Sequence, residues 1–413
     1  MKRFVKRAAW VLVALAILGV VSWTAANALG SNRLTAAIQE LEKAGYRTTA
    51  ASLAPPPVPR AENAAPLYVA AFALMDGGSD TEREWTEQAL QGETARLPDD
   101  RRAALEAWIA RNAEALDLLE RACARPRCLF ERNYADGFRM LMPELTPAMG
   151  MSRLLQLRAE FRARAGDLAG ARSDVERILR LSNAFREDPV LVAQLVRLAL
   201  TQRALEAVDR LVTADTRQED LRKWAETIRD AGVPPGLLVP AFRGELAMVA
   251  DFLRNPPYEY WMWIGTAPGR GESAALALLR PWVKLDGAGC LGDYRRLAEA
   301  AALPYLQAQE QADALQERLT ASGSWKHPFR RLFFPSAARV FRRCTEVEAK
   351  AAVIRAGLDA ERVRQSTGSY PETLGALDPA TGKPLLYDRP AGRIASAAGT
   401  KEEPVEWRLR RGP

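Results

Sequence analysis

Three observations predict a mainly α fold made of an N-terminal transmembrane or signal helix, an irregular antiparallel helical solenoid or bundle, and a small C-terminal segment with short strands. An uncharged apolar run follows a basic N-terminus. Leu, Ile, Val and Trp then recur at steps of three and four through most of residues 99–229, the period of one helix face. Beyond residue 366 this period is lost, and Gly and Pro punctuate short apolar pieces instead. The resulting division is a signal anchor at 1–32, a short helix and Pro-rich stalk at 33–62, a helical array at 63–231, an irregular insertion at 232–289, C-terminal helices at 290–366 and a loop and short-strand module at 367–413.

The N-terminal element rests on Lys2, Arg3, Lys6 and Arg7, followed by twenty-five uncharged residues from Ala8 to Asn32. As a helix, that length exceeds the roughly 30 Å of a bilayer core, and Trp23 suits the outer interface. Cations before the apolar run place the N-terminus in the cytoplasm and the rest outside it, anchored in the inner membrane with the globular part periplasmic or extracytoplasmic. Ala26-Asn27-Ala28 has the small-x-small form of a signal-peptidase site, so a cleaved signal peptide is the alternative to an anchor.

Residues 34–44 have helical composition and stop at Gly45. Pro55, Pro56, Pro57 and Pro59 favour an extended polyproline stretch, read as the stalk. Leu105, Trp108, Ile109, Asn112, Leu116 and Leu119 share one face of a helix over 99–122. Further helices are expected at 152–165, from 171 through Leu181, from Leu191 through Val208, and at 216–229. Gly166-Asp-Leu168 looks like the turn of a tetratricopeptide unit, but no equivalent turn follows about 34 residues later, so the array is irregular. In 232–289, Pro234, Pro235, Pro256, Pro257, Pro268 and Pro281 act as breakers around the aromatic cluster Tyr258-Glu-Tyr-Trp-Met-Trp263. That cluster reads as core packing, with a membrane interface or partner groove as the alternative. Helices return at 293–319 and 335–365.

Composition narrows the function. The chain has 413 residues, 48% hydrophobic, with a formal charge of +7, one His and four Cys. One His and four Cys exclude His-rich metal centres and paired CxxC zinc sites. His327 is the sole imidazole and stands between cations without a serine elbow or acidic partner in sequence. Pro268-Gly-Arg-Gly271 lacks the Lys-Ser/Thr of a phosphate loop, and no cofactor is expected. The carboxylate pairs Glu346 with Glu348 and Asp359 with Glu361 read as solvated helix faces. Cys123 and Cys128 flank Pro126, whose turn would bring them together as a disulfide in an oxidising compartment. Cys290 and Cys344 would be the other pair, and buried apolar thiols are the alternative.

The positive charge is local. Arg318, Lys326, Arg330, Arg331, Arg339, Arg342 and Arg343 lie in a stretch free of acidic residues. Together with the four N-terminal cations they exceed the whole net charge, so the remainder of the chain is net acidic and a nucleic-acid partner is not expected. Arg330, Arg331, Arg339, Arg342 and Arg343 are candidates for contact with anionic lipid or an acidic partner. Phe329, Leu332, Phe333 and Phe334 interleave with them in an amphipathic way. A solvated face beside acidic helices is the plain alternative.

Residues 351–364 followed by Thr367-Gly-Ser-Tyr370-Pro-Glu-Thr-Leu374, Leu377-Asp-Pro379, Gly382-Lys-Pro-Leu-Leu-Tyr387 and Gly399 resemble the helix-to-loop passage of type II secretion pseudopilins, over about 50 residues. The calcium loop of that family uses carboxylates near its last Gly-rich turn, and Ile394-Ala-Ser-Ala-Ala-Gly399 supplies none, so no metal is implied; the family's N-terminal methylation motif is also absent. Nearly the full length is similar to a group of uncharacterised membrane-anchored helical proteins of planctomycetes and related bacteria. The shared marks are the basic-then-apolar start, Leu53-Ala-Pro-Pro-Pro-Val-Pro59, Glu62-Asn-Ala-Ala-Pro-Leu-Tyr68, Gly166-Asp-Leu168, Gln194-Leu-Val196 and Tyr370-Pro371. That similarity implies a shared architecture and no assigned activity. The expected role is a non-enzymatic, membrane-anchored assembly or binding module of the cell envelope with a protein or glycan partner. A carboxylate-dependent hydrolase of envelope polymers is the alternative.

Overall fold

In the computed structural model, which describes residues 2–93, 97–254, 272–321, 330, 337–399 and 404–410, the apolar run is the first half of one long helix, α1 (Lys2–Lys43). Neither Gly nor Pro interrupts 31–44, so the helix continues to Gly45, whose φ of 80° suits the left-handed position after a helix. The stretch Trp10–Lys43 is long and apolar enough to cross a membrane. Trp10, Leu12, Ile17, Leu18 and Val20 are exposed, whereas Leu34, Ile38 and Leu41 are buried at the spacing of one packed face.

That buried face meets a helix far along the chain, Glu272–Ala300. Lys284 Nζ donates to Asn27 Oδ1 at 3.0 Å and to Ser31 Oγ at 2.8 Å. Further along both helices, Arg295 pairs with Glu40 at 2.9 Å. Both residue numbers rise together from one contact to the next, so the two helices run parallel. Gly30 lets them approach, since a Cβ there would lie 3.0 Å from the Pro281 carbonyl oxygen. The body is therefore joined to the apolar helix by α1 itself. The Pro-rich stretch expected as a stalk is mostly exposed and runs between two tethers, Ala50 N to Asp251 Oδ2 at 3.3 Å and Ala64 N to Arg127 O at 2.8 Å.

The next helices are α2 (Ala65–Leu74), α3 (Asp80–Gln88), α4 (Asp99–Arg111) and α5 (Ala113–Cys123). Where one helix was expected over 99–122, two form, and Asn112 is the cause. Its fully buried side chain donates to Trp108 O at 3.0 Å and accepts from Asp76 N at 2.9 Å, competing with the helix ladder. The central stack follows: α6 (Leu145–Arg164), α7 (Leu168–Asn183), α8 (Leu191–Leu211), α9 (Gln218–Thr227) and α10 (Val239–Arg254). Gly166, at φ 85°, makes the turn from α6 to α7, and Asp167 Oδ1 caps α7 by accepting from Gly170 N at 2.8 Å.

Residues 232–289 are more regular than their prolines imply. They contain α10 and the start of α11 (Glu272–Ala300), with Pro240 in the first turn of α10, where no N–H is needed, and Pro281 inside α11. The aromatic cluster 258–263 lies outside the described residues. Pro304 also divides the helix expected over 293–319, so that α12 (Tyr305–Ala321) starts afresh. The last helix, α13 (Ala337–Thr367), packs on α8, α9 and α12. It carries a three-stranded antiparallel sheet in the order β1 (Leu386–Asp388), β2 (Arg393–Ala395), β3 (Glu406–Arg408), with Ile394 opposite Trp407. One continuous apolar core reaches from Leu34 to Leu409.

The α8–α10 junction holds a titratable group. A Cβ on Gly244 would lie 1.8 Å from the Pro189 carbonyl oxygen, so only glycine fits there. Beside it, Glu245 Oε1 accepts from Leu191 N, at the start of α8, at 3.1 Å. Burial pushes the Glu245 carboxyl up to about 7. The folded chain thus keeps a proton that an unfolded Glu, near pKa ~4.3, has released. Stability should fall as pH rises from about 4.5 to 7, by on the order of 3 kcal/mol. Asp188, pushed up to about 6 by burial, acts in the same sense. Thermal melts of the detergent-solubilised chain at pH 5 and 8 should show this slope, and Glu245→Gln, which keeps the acceptor, should reduce it. An equal slope in the variant would rule out Glu245 as its source.

Candidate functional site

Of the basic stretch, Arg330 turns inward. Its guanidinium lies over Gly289 between two carboxylates on one face of α11, with Nε 3.2 Å from Asp286 and Nη1 3.5 Å from Asp293. Both carboxylates are buried. Lipid or partner contact by Arg330 is thereby corrected: its charge compensates two buried acids. Arg343 pairs with Glu346 at 3.1 Å, and Arg342, 61% exposed, lies 3.9 Å from Asp313. Arg339 is also exposed. Arg331, Lys326 and His327 lie outside the described residues.

The expected disulfides are replaced by four free thiols. Cys123 ends α5 with its Sγ 3.5 Å from the Tyr68 hydroxyl. The turn after it is held elsewhere, because Arg127 bridges to Asn63 and carries Cys128 toward Arg132 and Asp188. Cys290 lies near Asp286 and Asp293, and Cys344 near Arg197. Burial pushes all four thiols up, Cys344 to about 12, which keeps them protonated.

The carboxylate pairs on α13 serve the fold. Glu348 accepts from Val233 N at 2.6 Å and pairs with Arg355 at 2.7 Å. Glu361, also buried, accepts from Tyr370 Oη at 3.0 Å and Arg410 N at 2.6 Å. Among the described residues, no group of three His, Cys, Asp or Glu side chains is placed to hold a metal ion.

A polar cavity of about 490 Å³ opens between α7, α8 and α9. Arg197, on α8, lines it and is only 6% exposed, and its Nη1 is buried with no hydrogen-bond partner. Among the described residues, no carboxylate lies within ion-pair distance of this guanidinium. Burial, then the nearby Arg186, lowers its pKa to about 10, so it stays charged at neutral pH. Ser182 and Thr201 both donate to the Arg197 carbonyl, at 2.9 and 3.0 Å. At the rim, Glu176 is held by Arg172 at 3.7 Å and Thr227 Oγ1 at 3.0 Å, Glu226 by Arg222 at 4.0 Å, and Asp230 is exposed. Arg180 also lines the cavity and, among the described residues, has no ion-pair partner. Sequence reasoning missed Arg197 because α8 presents it as one more cation in an amphipathic helix. Its isolation exists only after folding.

Comparison with protein-family models, curated proteins and solved structures finds no match.

Proposed function

We propose that the chain is a non-enzymatic, membrane-anchored binding or assembly module of the cell envelope, with its helical body outside the cytoplasm. One observation carries this reading: a single unbroken helix has an exposed apolar half and a second half built into the core. An apolar face of that length left in water would be costly, and a bilayer relieves the cost. The four cations before it favour a cytoplasmic N-terminus. Because α1 and α11 are packed together, the body is held at a fixed attitude to the membrane, which suits a scaffold for an envelope protein or glycan.

The test uses the full chain in its own membrane. The protein should remain in the pellet after an alkaline carbonate wash, and protease added to intact spheroplasts should digest the body. Release of the intact chain into the wash would overturn the anchor, and a body protected until the membrane is broken would overturn the orientation. Crosslinked envelope fractions should yield a reproducible protein or glycan partner.

A further inference from the structure

We propose that the cavity between α7, α8 and α9 binds a small oxyanion, a phosphate or carboxylate group, with Arg197 as its buried counter-charge. A charged side chain withdrawn from water is normally paired, because its desolvation is otherwise uncompensated. Arg132, Arg158 and Arg330 follow this pattern, each meeting a buried carboxylate. Arg197 is buried too and, among the described residues, meets none, while lining a cavity in the size range of small-molecule sites.

The surroundings favour an anion. The Arg197 carbonyl, which would repel one, is already occupied by Ser182 and Thr201. Glu176 and Glu226 at the rim are neutralised by cations of their own. Arg172, Arg180, Arg197 and Lys223 in the lining outnumber Glu176, Glu226 and Asp230, which leaves the cavity net positive. The guanidinium fork matches a carboxylate or phosphate with two parallel hydrogen bonds. The site belongs to the helical body alone, so it stands or falls separately from the anchor.

The experiment is thermal unfolding of the detergent-solubilised full chain with inorganic phosphate or acetate, against chloride at equal ionic strength. One of the two oxyanions should raise the melting temperature saturably, by about 3 °C when present at ~100-fold over its dissociation constant. Response to phosphate alone assigns a phosphate ligand, and response to acetate a carboxylate one. Arg197→Met should abolish the rise while melting no lower than the parent without anion, since it removes an unpaired buried charge. Should that variant fail to fold, Arg180→Gln, on the exposed rim, should weaken anion affinity roughly threefold. The proposal is overturned if neither oxyanion exceeds chloride. It is equally overturned if the rise persists unchanged in Arg197→Met or, where that variant does not fold, in Arg180→Gln.

Discussion

Arg132→Met should lower the stability of the helical body by about 3–5 kcal/mol, the usual cost of removing one partner from a buried ion pair. The Arg132 side chain is 1% exposed and bridges Glu144 and Asp188, which are 5% and 7% exposed. Its guanidinium also sits over the Phe130 ring at 5.8 Å. These contacts tie together the turn after α5, the start of α6 and the segment that leads into α8. Met preserves the length and apolar stem but leaves two carboxylates buried side by side with nothing to balance them. Denaturant melts should therefore show the largest deficit near pH 8 and a smaller one near pH 5, where the orphaned acids take up protons. Combining Arg132→Met with Glu144→Gln and Asp188→Asn should restore much of the loss, because the charge imbalance disappears with the charges. A deficit below about 1 kcal/mol at pH 8 would show that water reaches the triad and screens it.

Features set by local sequence were legible. The period of three and four located the helices of the central stack, Gly166 marked the α6–α7 turn, and the loss of period after residue 366 marked the strands. Features that depend on distant partners were not. Arg33 reads as the end of an anchor, yet α1 continues because α11 offers it an apolar face and Gly30 permits close contact. Pro281 reads as a breaker, yet the chain on either side of it stays helical. The basic stretch shows an excess of charge, but only the fold places Arg330 between Asp286 and Asp293, seven residues apart along one face of α11. Asn112 fits the apolar period by position, and its polar side chain splits the helix only because Asp76 is there to receive it. The cavity at Arg197 is the extreme case, since no residue in it is unusual by type or spacing.

Trp407→Ala should cost about 3–5 kcal/mol, but locally, by freeing the C-terminal sheet from α13. Three strands of three residues each bury too little to stand alone. The indole is what seats them. It is fully buried and lies on Gly357 of α13, where a Cβ would come within 2.6 Å of the ring, and the Arg410 guanidinium covers it at 4.6 Å. Glu361 reinforces the junction by accepting from Tyr370 and Arg410 on either side of the sheet. Without the ring these polar contacts would close over a void, and the module should become a protease target beyond Thr367. The rest of α13 is held by α8 and α9, so helical circular dichroism should change little while limited proteolysis removes the tail. Gly357→Leu should reproduce the effect from the helix side, even though Gly is the poorer helix former by about 1 kcal/mol. A tail as protected in Gly357→Leu as in the parent would mean that the ring-on-glycine contact is not what holds the sheet in place.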